Sequence, residues 1–176
     1  MGSPKALLEY RGESFVDRLV GLFAGLCSPV IVVLGADAGE IRARAARPAE
    51  FVFNSHFQTG QTGSLQCGLR AVPPQAEGVL FTLVDHPAVA PGTLQRLLAA
   101  PLPLVRVPRY DGRRGHPVWF RRELIAEFLA LPETGAARDV VRAHAAETEF
   151  LDVDDAGVIA DIDDPAAYRD LLGARA

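Results

Sequence analysis

Asp85 closes an apolar run, Gly78-Val79-Leu80-Phe81-Thr82-Leu83-Val84, and is followed by His86-Pro87. A short, nearly unbroken apolar run reads as a strand buried on both faces, as in a parallel sheet covered by helices. Pro87 cannot continue a ladder, so Asp85 stands at the carboxyl edge of that strand, where open α/β sheets bind their ligands. A carboxylate there is costly unless paired. A divalent metal has the matching chemistry, and capping of the next turn is the plainer role. A second acidic stretch, Asp161-Ile162-Asp163-Asp164-Pro165, lies at a predicted strand end just before a helix. Asp164 is accounted for as the helix N-cap with Pro165 at the first helical position, which leaves Asp163 as a second candidate metal ligand. Two carboxylates holding one Mg²⁺ near phosphate oxygens suit displacement at phosphorus. Gly112-Arg113-Arg114-Gly115-His116-Pro117 packs cations, flexible backbone and an imidazole into one loop able to close over an anionic ligand.

The elements that must position these groups follow from periodicity. Phe15, Leu19, Leu22, Phe23 and Leu26 recur at helical spacing, giving an amphipathic helix closed near Pro29. Val30 to Leu34 is a β-branched run that reads as a buried strand ending at Gly35. A short exposed helix over 40–47 and a strand at Phe51-Val52-Phe53 come next. Gly60 to Gly63 reads as a loop, and Ser64 to Arg70 as the opening of a helix. After the strand ending at Asp85, the pattern predicts a helix from Pro91 to about Ala100 and a strand at Leu104 to Val107. Tyr110 to Pro117 reads as loop, and Leu124, Ile125, Phe128 and Leu129 mark a helix ending at Leu131-Pro132. The tail predicts a helix over 136–144, strands at 150–153 and 158–162, and a last helix from Asp164-Pro165. Strands alternating with helices predict a mostly parallel α/β sheet, with residues 1–176 forming one domain.

Composition narrows the function classes. Of the 176 residues, 49% are apolar, which argues against disorder. A formal net charge of −4 leaves no basic footprint for nucleic acid, and Arg42, Arg44 and Arg47 read as a solvated helix face. No apolar stretch is long enough to span a bilayer and no signal peptide is recognisable, so neither membrane nor export is expected. Cys27 and Cys67 are isolated, without metal or disulfide spacing, in keeping with a reducing cytoplasm. The four histidines lack zinc spacing: His116 reads as a substrate contact, His86 as a turn residue beside the metal, and His56 and His144 as ordinary surface or loop residues. Lys5 is the only lysine, a compact point charge suited to phosphate where arginine serves everywhere else.

Taken together, these segments resemble the MobA-like nucleotidyltransferases, and within them the molybdenum cofactor cytidylyltransferase branch. Met1-Gly2-Ser3-Pro4-Lys5 is similar to the end of the family loop L-A-A-G-x-S-x-R-M-G-x-x-K. Asn54, Gly60-Gln61-Thr62-Gly63-Ser64-Leu65 and Gly68-Leu69 resemble the stretch N-x(5)-G-M-x-x-S-L-x-x-G-L. Val84-Asp85-His86-Pro87, Gly115-His116-Pro117 and the 161–165 segment complete five motifs in order. The resemblance implies a Rossmann-like three-layer sandwich and transfer of CMP from CTP to a molybdopterin-type cofactor with release of pyrophosphate. It implies Lys5 and Asp85 as catalytic residues, with Lys5 steadying the triphosphate. Gly2, Lys5, Asn54, Gly60, Gly63, Ser64 and Gly68 would bind the nucleotide, and Asp85 and Asp163 would hold Mg²⁺. Arg114, Gly115, His116 and Pro117 would meet the acceptor phosphate or pterin, and a molybdoenzyme apoprotein is a further implied partner.

The sequence departs from the family pattern at its start. The first strand and the leading L-A-A-G-x-S-x-R of the phosphate loop are not in these residues, so a chain beginning at Met1 is expected to transfer poorly. Gln61 stands where the family has methionine, Gly63 where serine is common, and Asp164 where threonine is usual. Two other functions fit the same residues. One is a non-catalytic protein that binds and delivers molybdenum cofactor. The other is a related transferase using another nucleoside triphosphate or a sugar or alcohol phosphate acceptor.

Overall fold

The computed structural model describes residues 4–132 and 134–173. In chain order the strands are β1 (Glu9–Tyr10), β2 (Glu13–Ser14), β3 (Ile31–Leu34), β4 (Glu50–Phe53), β5 (Gly78–Phe81), β6 (Val105–Tyr110), β7 (Arg113–Arg114), β8 (Val118–Arg121) and β9 (Thr148–Asp152). The helices are α1 (Phe15–Ala24), α2 (Ala38–Arg44), α3 (Gln61–Arg70), α4 (Pro91–Leu97), α5 (Ile125–Ala130), α6 (Ala137–Ala143) and α7 (Pro165–Gly173).

The α/β class and the Rossmann-like sandwich stand, but the expected mostly parallel sheet is mixed. β3–β4 and β6–β9 pair in parallel, whereas β8 lies antiparallel between β5 and β6. The reason is local. The predicted loop over 110–117 is instead a hairpin: Arg109 and Tyr110 pair with Arg114 and Arg113, and the chain returns through β8 against its neighbours. Asp111 and Gly112, both at positive φ, make the turn.

β5 shows why its run is apolar throughout. Alternate side chains point to opposite faces, so Val79 and Phe81 join the cluster of Leu65, Leu69, Phe120 and Phe128 beneath α3 and α5. Leu80 joins Leu19, Phe23, Val89 and Leu94 beneath α1 and α4. The strand is shorter than its apolar run. Its partner β8 starts only at Val118, after Pro117, so Thr82 to Val84 have no ladder partner beyond the Phe81–Val118 pair. Both faces are covered, yet every residue of β5 is only half-buried, because the edge facing β3 is open. An apolar cleft of about 630 Å³ separates these strands, lined by Val20, Val33, Leu65, Gly68, Leu80 and Val84 among others.

Three other local expectations change. The Gly60–Gly63 loop is shorter, because α3 already begins at Gln61, with Gly60 at φ +118° supplying the turn into it. The predicted strand over 158–162 is a 3₁₀ turn, Ala156–Ile159. Asp155 draws that turn in by accepting from the Ala90 and Gly157 amides and the Thr93 hydroxyl, at 2.6–3.0 Å. Gly157 then lies so close to the Ala88 carbonyl that a Cβ would stand 2.5 Å from it, which an extended side-chain-bearing strand could not allow. His144, expected to be unremarkable, bonds Glu127 and Glu147, and these carboxylates raise its pKa. No helix among the described residues is long and apolar enough to cross a membrane.

Candidate active site beyond the end of β5

Asp85 lies four residues past β5, held by its backbone carbonyl, which accepts from the Ile162 amide at 3.0 Å. Ile162 itself is buried beside Phe15 and Leu171, so core packing presses the acidic 161–163 stretch against the end of β5. Asp161 and Asp163, on either side of the buried Ile162, both reach the Asp85 side. Lys5, entering on a short 3₁₀ turn, places its ammonium 2.6 Å from Asp163 Oδ1 and 3.5 Å from Asp85 Oδ2. Burial alone would lower the Lys5 pKa, but the Asp163 hydrogen bond and the Asp85 charge outweigh it and raise the value. The same hydrogen bond holds Asp163 below the usual carboxylate range. Lys5 therefore sits as a fixed positive charge between the two carboxylates expected to share a metal.

Among the described residues, Asp85, His86 and Asp161 bring one ligand atom each within 4.8 Å of one another. Asp163, the second ligand expected from the sequence, is engaged by Lys5 and has a largely exposed side chain. Asp161, which the sequence does not single out, stands in its place beside Asp85. Its signal was alternation about Ile162: an apolar residue destined for the core puts both neighbours on the ligand side. Desolvation and the charges of Asp85 and Asp163 push Asp161 up to about 6. The folded chain thus holds a proton that the unfolded chain, at an ordinary 3.8, has released, so stability falls as pH rises between these values. In EDTA, Asp161→Asn is expected to match the parent near pH 3.5 and to melt about 1–3 °C higher at pH 7, a small effect because the side chain is exposed. Thermal melts across that range check it.

His86 and His116 form the floor of the site. His86 has only 7% of its side chain exposed, and its Nε2 lies 3.8 Å from Asp85 Oδ1. The rings of His86 and His116 are 5.0 Å apart, and His116 meets Phe81 edge-on at 5.7 Å. Burial, reinforced by His86, lowers His116 to about 4; burial also lowers His86 against the pull of Asp85. Both imidazoles are neutral at pH 7. Asp85 Oδ1 and Nδ1 of each histidine are buried without a hydrogen-bond partner, three orphaned polar atoms in one corner. Such atoms are costly and mark a place where a ligand belongs.

The Gly115-His116-Pro117 segment reaches this corner as expected. The Gly115 amide donates to Pro108 and the His116 amide to Val158, at 2.9 and 2.8 Å. A Cβ on Gly115 would collide with the Val158 carbonyl, so Gly115→Ala must displace either the 156–159 turn or His116. The expected cost is about 1–3 kcal/mol with a parallel loss of activity, measured by denaturant melts and turnover; an unchanged midpoint would contradict it. Arg114 instead lies exposed on β7 with its guanidinium 4.6 Å from the Phe150 ring.

Of the expected nucleotide-binding residues, Asn54, Gly60, Gly63 and Ser64 gather at the start of α3, whereas Gly68 lies in its last turn and Lys5 at the acidic corner. Asn54 is buried, donates to Ser64 Oγ at 3.1 Å and accepts from the His56 amide at 3.0 Å. Gly63 abuts Thr59, and Gly68 lets α3 approach Val33 so closely that a Cβ would stand 2.9 Å from its methyl. Ser64 and Gly68 line the apolar cleft beside β5. Gly2 lies outside the described residues.

Comparison with known proteins matches the description "MobA-like NTP transferase domain" over residues 1–148. A nicotine blue oxidoreductase of Paenarthrobacter nicotinovorans is 35% identical over 125 residues, 65% of this chain, and the chain spans only 61% of that relative's length. The Escherichia coli (strain K12) molybdenum cofactor cytidylyltransferase is 22% identical over 167 residues, covering 94% of this chain and 85% of that protein. Among solved structures, Rv0371c of Mycobacterium tuberculosis H37Rv superposes with a TM-score of 0.85 at 30% identity, covering 99% of this chain and 92% of that one. A manganese complex of Rv0371c superposes at 0.83 with 29% identity, over 98% and 92% of the two chains.

Proposed function

This chain belongs to the MobA-like NTP transferase family, and from that premise we propose that it transfers a cytidylyl group from CTP to a molybdopterin-type cofactor. An oxygen of the acceptor phosphate attacks the α-phosphorus in line, the bond to the β-phosphate oxygen breaks, and pyrophosphate leaves. No covalent enzyme intermediate is needed, so the work is positioning and charge neutralisation. The observation that carries this reading is the corner beyond β5, where Asp85, Asp161, Asp163, Lys5, the buried His86 and the half-buried His116 converge.

The residues fit a divalent cation: carboxylates on two segments, and an orphaned buried oxygen on Asp85. Mg²⁺ is the cation expected from the sequence; when bound, such an ion would neutralise charge on the phosphates. Asp85 and the 161–163 carboxylates would hold it, and Lys5 would turn from them to the triphosphate. Gly60 and Ser64, at the entry to α3, would face the base. His116, half-buried and neutral, would offer a hydrogen bond to the acceptor without adding charge. Support for CTP and a molybdopterin acceptor comes from the similarity to the E. coli cytidylyltransferase.

The test is a single-turnover reaction with enzyme in excess, so that slow transfer is still scored. Each of four nucleoside triphosphates is offered with molybdopterin, and pyrophosphate and product mass are read. A CMP-sized mass gain with CTP alone is expected; no product with any triphosphate would overturn the reading. A second reading, an oxidoreductase, is favoured by the 35% identical relative. It is scored in separate samples by oxidation of a reduced nicotinamide nucleotide with hydride transfer to a quinoid dye such as nicotine blue.

A further inference from the structure

We propose that His86 ligates the divalent cation together with Asp85 and Asp161, which makes this a mixed nitrogen–oxygen site that selects a first-row transition-metal ion such as Mn²⁺ over Mg²⁺. The inference rests on reading this corner as the metal-dependent transfer site and adds the identity of the ion.

Three observations converge on it. One ligand atom from each of the three residues lies within 4.8 Å of the other two. His86 is not a surface group that happens to be near: its side chain is 7% exposed, and its Nε2 faces Asp85 Oδ1 at 3.8 Å. Asp85 Oδ1, the oxygen that His86 Nε2 faces, is buried without a hydrogen-bond partner, so its desolvation goes uncompensated within the protein. Two neighbours bear on how such an ion could sit. Lys5 takes the other face of Asp85, at Oδ2, leaving Oδ1 to the ion. His116 packs against His86 at 5.0 Å and fixes the ring's surroundings.

Ligand chemistry then decides the metal. Mg²⁺ is hard, prefers oxygen ligands in near-ideal octahedral geometry, and gains little from an imidazole. Transition-metal dications accept imidazole nitrogen beside carboxylate oxygen, with affinity rising along the series from Mn²⁺. A site of carboxylates alone would not discriminate in this way. Replacing one oxygen ligand by a buried neutral nitrogen does.

The probe is Mn²⁺ alone, added to the full chain without nucleotide. Loss of the free-ion EPR signal gives stoichiometry and Kd, and pulsed EPR of the bound ion reports whether a nitrogen nucleus is coupled to it. One Mn²⁺ per chain with ¹⁴N coupling is expected, displaced by Mg²⁺ only at about tenfold excess or more. His86→Gln should weaken Mn²⁺ by about 10- to 100-fold, the scale seen even for partners one shell further out, while Mg²⁺ affinity stays within about twofold. Absence of nitrogen coupling in the parent chain, or equal competition by Mg²⁺, would overturn the proposal, and neither result depends on the variant folding. Nitrogen-coupled Mn²⁺ in a protein that transfers no nucleotide would leave this inference standing and remove the transferase reading instead.

Discussion

Asp85→Asn is expected to lower nucleotidyl transfer by about 100-fold or more with little change in melting temperature. Losing even an outer-shell partner of a metal site costs about 10–100-fold, and Asp85 stands nearer than that, at the centre of the cluster. Its Oδ1 is buried and unpartnered, and its Oδ2 lies 3.5 Å from the Lys5 ammonium. Asparagine keeps the shape and the backbone carbonyl that accepts from Ile162, so the anchor between the end of β5 and the 161–163 stretch survives. Transfer within about threefold of the parent would remove Asp85 from the machinery. The same variant separates transferase from delivery protein: cofactor binding retained while transfer is lost marks the enzyme, whereas a carrier would show no transfer before or after.

The largest expected effect on stability lies elsewhere. Arg106→Leu is expected to destabilise the fold by about 3–5 kcal/mol, the cost of breaking a buried charged network from one side. Arg106 is 5% exposed in β6, and its guanidinium donates to the carbonyls of Leu97, Ala99 and Pro101 at 2.8–2.9 Å. It also pairs with Glu149 on β9 at 2.9 Å. It therefore closes the C-terminal end of α4 with a cation, where unpaired carbonyls and the helix dipole both favour one. Leucine fills the volume but leaves the buried Leu97 carbonyl and the part-buried Ala99 and Pro101 carbonyls without this donor. Arg106→Lys should recover only part of the loss, since one ammonium cannot reproduce the planar fork. Urea melts give the number, and a loss below about 1 kcal/mol would contradict the argument.

Legibility in the sequence followed the range of the forces involved. Asp85 was found because an apolar run, a charge and a proline are adjacent along the chain, although the strand itself ends at Phe81, where its ladder with β8 stops. The Asp164-Pro165 cap was legible for the same reason, and Asp164 Oδ1 does accept from the Ala166 and Ala167 amides. Gly115 was legible as a glycine in a flexible loop. Its actual constraint is the Val158 carbonyl, which arrives from far along the chain. Arg106 stood in a strand without attracting attention, because nothing local says that a helix end will close over it. The 158–162 stretch has strand composition, but Asp155 and the approach of Ala88 curl it.

The sequence by itself determined the alternating layers, the cap of the last helix, and the placing of a carboxylate at the close of the apolar run that begins as β5, because periodicity and turn chemistry act between neighbours. Only the tertiary structure decided that β8 would enter between β5 and β6 and make the sheet mixed. It also decided that Asp161 would join Asp85 while Asp163 is taken by Lys5, and that His86 would be buried facing them. Those choices turn on which side of Ile162 meets the core and on close approaches between distant segments, and no local pattern encodes a distance between residues that only folding brings together.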